Sequence, residues 1–401
     1  MNADNANSGA VRRRTVFFIS GFDPKGAAYY HRSYRTEAQL QCVTNGWQYQ
    51  VGPREKRSEV VQGWCVKAIP PQVTSTEPPP TVAVDMEFLV WDDIVRSQWP
   101  KGWWGVLTGS LSAYWSAISS GWALVRVWSQ SRRTLLALAY PALFWLLALG
   151  FAVSGGGWLG REVGWPWAVG FAVVVLGVAY RIEQTLHTSW LLRIYRFADR
   201  WARGRLPVLE QRLDVMAQRV AQRLLHGDGS GRLDDEVLVV GYSVGSMLAA
   251  DVLARVSMHC RESPDAMKRL SVLTLAQCMP LLGLMPAAVE YRKVLNSARD
   301  AGATWVDVSA PTDWGSFALI DPFAICLGSP EADSKRRQAF VSPRFHTLFE
   351  PKDYQVLKAD KRRLHLQYLR AAPLPGGYDY FQITAGSRML WDTVTIWKSQ
   401  S

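Results

Sequence analysis

What the chain lacks narrows its function first. Cysteine is scarce: Cys42, Cys65, Cys260, Cys278 and Cys326 are scattered and odd in number. That pattern excludes a paired disulfide framework, and no two of them sit at metal-ligand spacing. They read instead as buried thiols in a reducing compartment. The first fourteen residues are polar, end in Arg12-Arg13-Arg14 and contain no apolar run. They therefore do not form a signal peptide and are expected to be a disordered N-terminus. No phosphate-binding loop, dinucleotide fingerprint or metal cluster occurs, so no cofactor and no metal are expected. Acidic residues are the minority, 34 against 45 Lys and Arg, a net charge of +11. Such a surplus suits nucleic acid, anionic lipid or the cytoplasmic loops of a membrane protein. A basic platform interleaved with aromatics and zinc-finger spacing are both missing, which sets nucleic acid aside.

What is present points to a bilayer. The 401 residues include 19 tryptophans, a residue that concentrates at membrane–water interfaces. Thr134 to Ser154 contains no charge, and a helix of that length crosses roughly 30 Å of hydrocarbon. Pro166 to Tyr180 is a second apolar run, and Ser154-Gly-Gly-Gly157 with Arg161-Glu162 falls in the link between them. The expectation is a transmembrane hairpin with helices at about 134–154 and 164–181. Arg126, Arg132 and Arg133 precede it, and Arg181, Arg193, Arg196, Arg200, Arg203 and Arg205 follow, while the link holds only Arg161. Basic flanks of this kind place both long arms in the cytoplasm. Trp99 to Trp128 is too polar for a span and reads as an interfacial or packed helix.

On either side of this insertion the pattern is that of an α/β protein. Thr15 to Ser20 and Val82 to Trp91 are strand candidates, and Ala27 to Val43 is helical. Pro70 to Pro80 reads as a linker or exposed loop. Pro207 to Leu225 is amphipathic, with Leu209, Leu213, Met216, Val220 and Leu224 stepping along one face. Strands are expected at 271–276 and 304–309 with a helix at 285–301 between them. Alternation of this kind predicts a doubly wound, mostly parallel sheet. The expected division is 15–98 and 206–395 for the α/β domain, with the membrane-associated insertion at 99–205.

The stretch Glu236 to Ala250 reads as a buried strand, a turn and a helix, and the turn is Gly241-Tyr-Ser-Val-Gly245. A serine at the tip of so sharp a turn needs small neighbours two positions away, and the helix N-terminus behind it favours a developing oxyanion. Ser243 is thus the candidate nucleophile. A serine needs a base and the base an orienting acid, here expected downstream. Asp313, directly after the 304–309 strand, is the first candidate acid and Asp321 the second; Asp307 lies within the strand and reads as structural. His346, about thirty residues beyond Asp313, is preferred as base. His365 is the alternative, because it falls inside what reads as a helix beginning near Pro351. The N–H groups of Val244 and of Phe22, in the Ser20-Gly21-Phe22 loop after the first strand, are the candidate oxyanion hole.

Together, these residues resemble the α/β-hydrolase superfamily on its lipase and esterase side. The resemblance covers the first strand and about 207 to 390, with the hairpin as an insertion. It implies ester hydrolysis through an acyl-enzyme, with Ser243 attacking, His346 moving the proton and Asp313 holding the imidazole, on a lipid or other acyl-ester substrate. The chain departs from the commonest pattern in carrying Tyr242 where many lipases have histidine, and in lacking a His-Gly-Gly motif. An acyltransferase or thioesterase with the same triad, or a non-catalytic membrane scaffold, are the alternatives. Tyr378 to Phe381 with Ala385-Gly386 is read as a closing strand or a pocket wall.

Overall fold

The computed structural model describes residues 10–71, 79–99, 112, 114–115, 125, 128, 132–186, 188–328 and 336–399. The first nine residues, most of the proposed Pro70–Pro80 linker and most of Trp99–Trp128 lie outside them. The chain divides into two compact units: Met1–Gln98, Gly204–Leu284 and Ala288–Ser401 form one, and Trp99–Arg203 with Met285–Ala287 the other.

The first unit is α/β. Its strands are β1 (Arg13–Ile19), β2 (Gln48–Val51), β3 (Glu55–Lys56), β4 (Val61–Ile69), β5 (Val82–Leu89), β6 (Glu236–Tyr242), β7 (Leu270–Leu275), β8 (Thr304–Val308) and β9 (Gln338–Val341). They form one sheet in the order β2-β4-β5-β1-β6-β7-β8-β9, with β3 on β4. From β5 to β9 every pairing is parallel, and the antiparallel β2, β3 and β4 lie beyond β5. Strand β1 is central, and its register sets Phe18 beside Phe88 on one side and Val240 on the other. Strands buried on both faces read as continuous apolar runs, and β6 and β7 are buried at every position.

The helices used below, in chain order, are α1 (Ala27–Asn45), α2 (Asp92–Gln98), α3 (Arg132–Glu162), α4 (Trp165–Leu186), α5 (Thr188–Ala202), α6 (Pro207–His226), α7 (Gly245–His259), α8 (Val289–Arg299), α9 (Pro322–Leu327), α10 (Pro351–Ala359), α11 (Lys361–Leu366) and α12 (Tyr380–Ala385). Tyr30, Tyr34 and Ala38 of α1 and Tyr380, Phe381 and Ile383 of α12 share a core with Val16, Phe18, Val84, Met86, Leu238 and Val240. On the apolar stripe of α6, Leu209, Leu213, Met216, Val220 and Leu224 are all buried; α6 packs on α7, and α7 packs on β6 and β7.

Three expectations need correcting. The expected disordered N-terminus does not include Arg13 and Arg14, because β1 begins at Arg13 and Arg14 is buried. Its guanidinium meets Glu236 at 2.6 Å and donates to the Gly386 carbonyl at 2.8 Å. A charge without such partners would not tolerate burial, and the sequence does not display them. Second, of the two readings of Tyr378–Phe381 the strand falls and the pocket wall stands: Tyr378 and Asp379 line a cavity of about 310 Å³, and Asp379 caps α12, accepting from Phe381 N at 2.9 Å and Gln382 N at 3.0 Å. Third, the link between the apolar helices is only Val163-Gly164.

That third point concerns the second unit. Helix α3 runs unbroken through Gly155-Gly156-Gly157 to Glu162. The glycines admit α4 rather than ending α3. A Cβ on Gly155 would collide with the Phe171 ring, and one on Gly156 or on Gly160 would stand 3.2 Å from the Ala168 carbonyl oxygen or the Ala168 Cβ. Small residues let apolar helices approach backbone to backbone. Over Leu138–Glu162 and Trp165–Glu183 the two helices are long and apolar enough to cross a membrane, with mean hydropathies of 1.7 and 1.5. Unlike core helices they leave large apolar side chains exposed, Leu146, Leu147, Phe151, Val173 and Val174 among them.

Candidate active site

Strand β6 ends at Tyr242 and α7 starts at Gly245, so the chain must reverse within two residues. Ser243 accomplishes this at φ 55°, a left-handed conformation costing an ordinary residue roughly 1–3 kcal/mol. Its N–H donates to the Leu275 carbonyl at 2.8 Å and its carbonyl accepts from Ser246 N at 2.9 Å. The Ser246 hydroxyl donates to the same carbonyl at 2.6 Å. A Cβ on Gly241 would lie 2.6 Å from the Gly245 carbonyl oxygen and 2.7 Å from the Ala249 Cβ. One on Gly245 would collide with the carbonyl oxygens of Ile19 and Ser20. The glycine spacing is therefore what lets α7 cross the ends of β6 and β1.

The histidine facing Ser243 is His365, the alternative of the sequence reading. Its Nε2 lies 3.1 Å from Ser243 Oγ and its Nδ1 2.8 Å from Asp313 Oδ2. The helix from Pro351 breaks at Asp360, whose carboxylate caps α11 by accepting from Arg363 N at 2.9 Å. His365 consequently sits near the end of a six-residue helix, 8% exposed. His346, the preferred base, lies on the single turn Phe345–Thr347 after Arg344, is exposed, and has its ring 6.1 Å from that of Tyr354. The structure corrects that choice.

Asp313 is where the sequence reading put it, in the loop after β8, 4% exposed. Its Oδ1 accepts from Gly315 N at 3.0 Å. Its Oδ2 accepts from Tyr368 Oη at 3.0 Å as well as facing His365. Between these partners the ring can donate from Nδ1 to the carboxylate and accept at Nε2 from the Ser243 hydroxyl. Gly315 keeps the pair uncrowded: a Cβ there would come within 3.1 Å of His365 Nδ1. Asp321 has another task, capping α9 through Phe323 N at 2.8 Å and Ala324 N at 3.2 Å. Asp307 is fully buried, accepting from Thr274 Oγ1 at 2.7 Å and Ser309 Oγ at 2.9 Å. Burial pushes its carboxyl up to about 7 although both hydroxyls oppose the shift.

Of the two candidate oxyanion donors, Val244 follows the nucleophile at the start of α7. Among the described residues its N–H meets no backbone or side-chain acceptor. Gly21 lies against the elbow, so close that a Cβ on it would be 3.2 Å from the Ser243 Cβ. That brings the Gly21-Phe22 loop beside the nucleophile, with the Phe22 ring 6.2 Å from Trp91 and Trp91 Nε1 donating to the Ser20 carbonyl at 3.0 Å.

Two tyrosines escaped the sequence reading. Tyr368 follows His365 by three residues, a spacing that shares a helical face but is too common to single out. Tyr242 stood out only as a departure from histidine; its hydroxyl donates to the His365 carbonyl at 2.9 Å. Trp314 and Leu319 are exposed on the loop that carries Asp313, and Lys361 Nζ lies 5.1 Å from the Trp314 ring centroid. No protein-family model, curated protein or solved structure matches the chain.

Proposed function

We propose that this chain is a membrane-anchored serine hydrolase that cleaves acyl esters through an acyl-enzyme on Ser243. The observation that carries the reading is the continuous hydrogen-bonded path from Ser243 Oγ to His365 at 3.1 Å and from His365 to Asp313 at 2.8 Å, on a nucleophile held at φ 55°. Residues so far apart in sequence do not converge in this order for packing alone. The arrangement of the sheet supports an α/β-hydrolase-like fold: the Gly21-Phe22 loop leaves the strand next to β6, the acid follows a strand two places along, and the base comes after the edge strand β9.

The chemistry follows from these positions. His365 Nε2 takes the Ser243 proton as Oγ adds to the ester carbonyl carbon. Asp313 keeps the Nδ1 proton in place and stabilises the imidazolium. The oxygen that gains the negative charge is received by the Val244 and Phe22 N–H groups at the start of α7 and beside it. His365 then gives its proton to the departing alcohol, leaving an acyl group on Ser243. A water activated by the same imidazole releases the acid.

The apolar pair α3 and α4 supports membrane anchoring as a two-helix insertion, and the arginines before and after the pair favour both arms on the cytoplasmic side. The exposed Trp314 beside Asp313 and Leu319 on the same loop favour an apolar acyl group, and thus a lipid ester, over a polar one. The assembled triad also supports the enzyme over the scaffold alternative. A fluorophosphonate probe applied to the full chain in detergent tests the proposal: one serine should be labelled, and Ser243→Ala should abolish the signal. Labelling that persists in that variant would remove the assignment.

A further inference from the structure

Resting on the serine-hydrolase reading, we infer that Tyr368 is a positioning residue that tunes the base: by donating to the same Asp313 oxygen that holds His365, it keeps the imidazole neutral at lower pH than the carboxylate alone would allow.

The direction of the Tyr368 hydrogen bond is fixed by its surroundings. The hydroxyl accepts from Ala310 N at 2.7 Å, so its own proton is free to go to Asp313 Oδ2 at 3.0 Å. Tyr368 has no exposed surface, and burial followed by the Asp313 charge pushes its phenol well up, so it remains a donor at every working pH. It cannot swing away either: its ring packs 5.1 Å from Phe345, and its carbonyl accepts from Tyr378 Oη at 2.5 Å. Asp313 Oδ2 therefore divides its charge between a phenol and an imidazole.

The consequence for His365 is electrostatic. A nearby carboxylate favours imidazolium, and a hydrogen bond that withdraws charge from that carboxylate weakens the effect. Other titratable groups also lie around the ring. Tyr242, 5.3 Å away by ring centroids, is pushed well up by burial, as is Tyr30 behind it. Asp23 and Tyr29 act on Tyr242 from the α1 side, and Cys278, raised by burial, lies on the Asp313 side. Lys361, Arg362 and Arg363, on the helix of His365 itself, are exposed. Tyr242 supplies an internal comparison, since its hydroxyl holds the His365 carbonyl at 2.9 Å and does not touch the carboxylate.

The rate of fluorophosphonate labelling is measured against pH for the full chain and for Tyr368→Phe. The acid limb, where His365 loses its proton, should move to higher pH in Tyr368→Phe by about one unit, making labelling about tenfold slower below the limb but nearly equal above it. Tyr242→Phe should lower the rate with no movement of the limb. Because Tyr368→Phe also strands the Ala310 N–H, a second variant places 3-fluorotyrosine at position 368. That residue keeps the volume and both hydrogen bonds but is a stronger donor, and the limb should move to lower pH. A limb that stays in place in both Tyr368 variants overturns the inference. Failure of the unaltered chain to be labelled at any pH is a different outcome, and overturns the hydrolase reading instead.

Discussion

The elbow around Ser243 and the segment around His365 meet at 3.1 Å, yet different forces hold them. At the elbow the turn itself is local: β6, two glycines and α7 lie within a few residues, and the positive φ follows from reversing the chain so tightly, with Leu275 and the end of β1 closing around it. His365 is placed by distant parts of the chain. Asp360 stops one helix and starts the next, Tyr242 takes the His365 carbonyl, and Tyr368 and Gly315 shape the acid opposite. Ser243 in its strained turn tolerates almost no change of volume around it, whereas His365 depends in addition on hydrogen-bond partners from distant parts of the chain.

Variants can break that comparison or sharpen it. The largest effect should come from the base. His365→Ala should slow probe labelling by about a thousandfold or more, as removal of a triad member does, while His346→Ala should stay within about twofold. Equal losses in the two would mean that the contact to Ser243 does not act as drawn. Next, Gly245→Ala tests the intolerance of the elbow. Its methyl would meet two backbone carbonyls that cannot yield, so a loss of about 3 kcal/mol or more is expected. Thermal denaturation of the detergent-solubilised chain should show a much lower midpoint; an unchanged midpoint would contradict the packing of α7 over β1.

The smallest effect concerns Asp307, in the strand leading to the acid. Its carboxyl rises from about 4 to about 7 on folding. A raised carboxyl binds its proton more tightly in the folded state. Its contribution is thus fully present at low pH and is lost as pH climbs from 4 through 7. Asp307→Asn should flatten the decline in thermal stability between pH 5 and 8 by a few degrees at most. An unaltered slope would place the pH dependence elsewhere.

Legibility in the sequence follows the same division. The Gly241-Tyr-Ser-Val-Gly245 spacing, the stripe Leu209–Leu224 and the position of Asp313 after β8 are local patterns, and local geometry produces them. His346 stands ahead of His365 in the sequence because the stretch from Pro351 has the pattern of one continuous helix, whereas Asp360 ends that helix and caps the next. The reading of Gly155-Gly156-Gly157 as a link failed for a related reason. In water glycines interrupt helices, but against an apolar neighbour they supply contact surface. Arg14 looked like tail charge since its partner Glu236 lies more than two hundred residues away.

The central place of β1 also orders the making of the protein. One ladder partner of β1, β5, is synthesised before the Trp99–Arg203 segment and the other, β6, after it. In the order of synthesis β1 therefore has β5 available as a partner before the apolar helices are made, and β6, with the Glu236 that neutralises Arg14, only after them. The Ser243 elbow can thus pack onto β1 only after the apolar helices have been synthesised, and its contacts to Asp313 and His365 come later still.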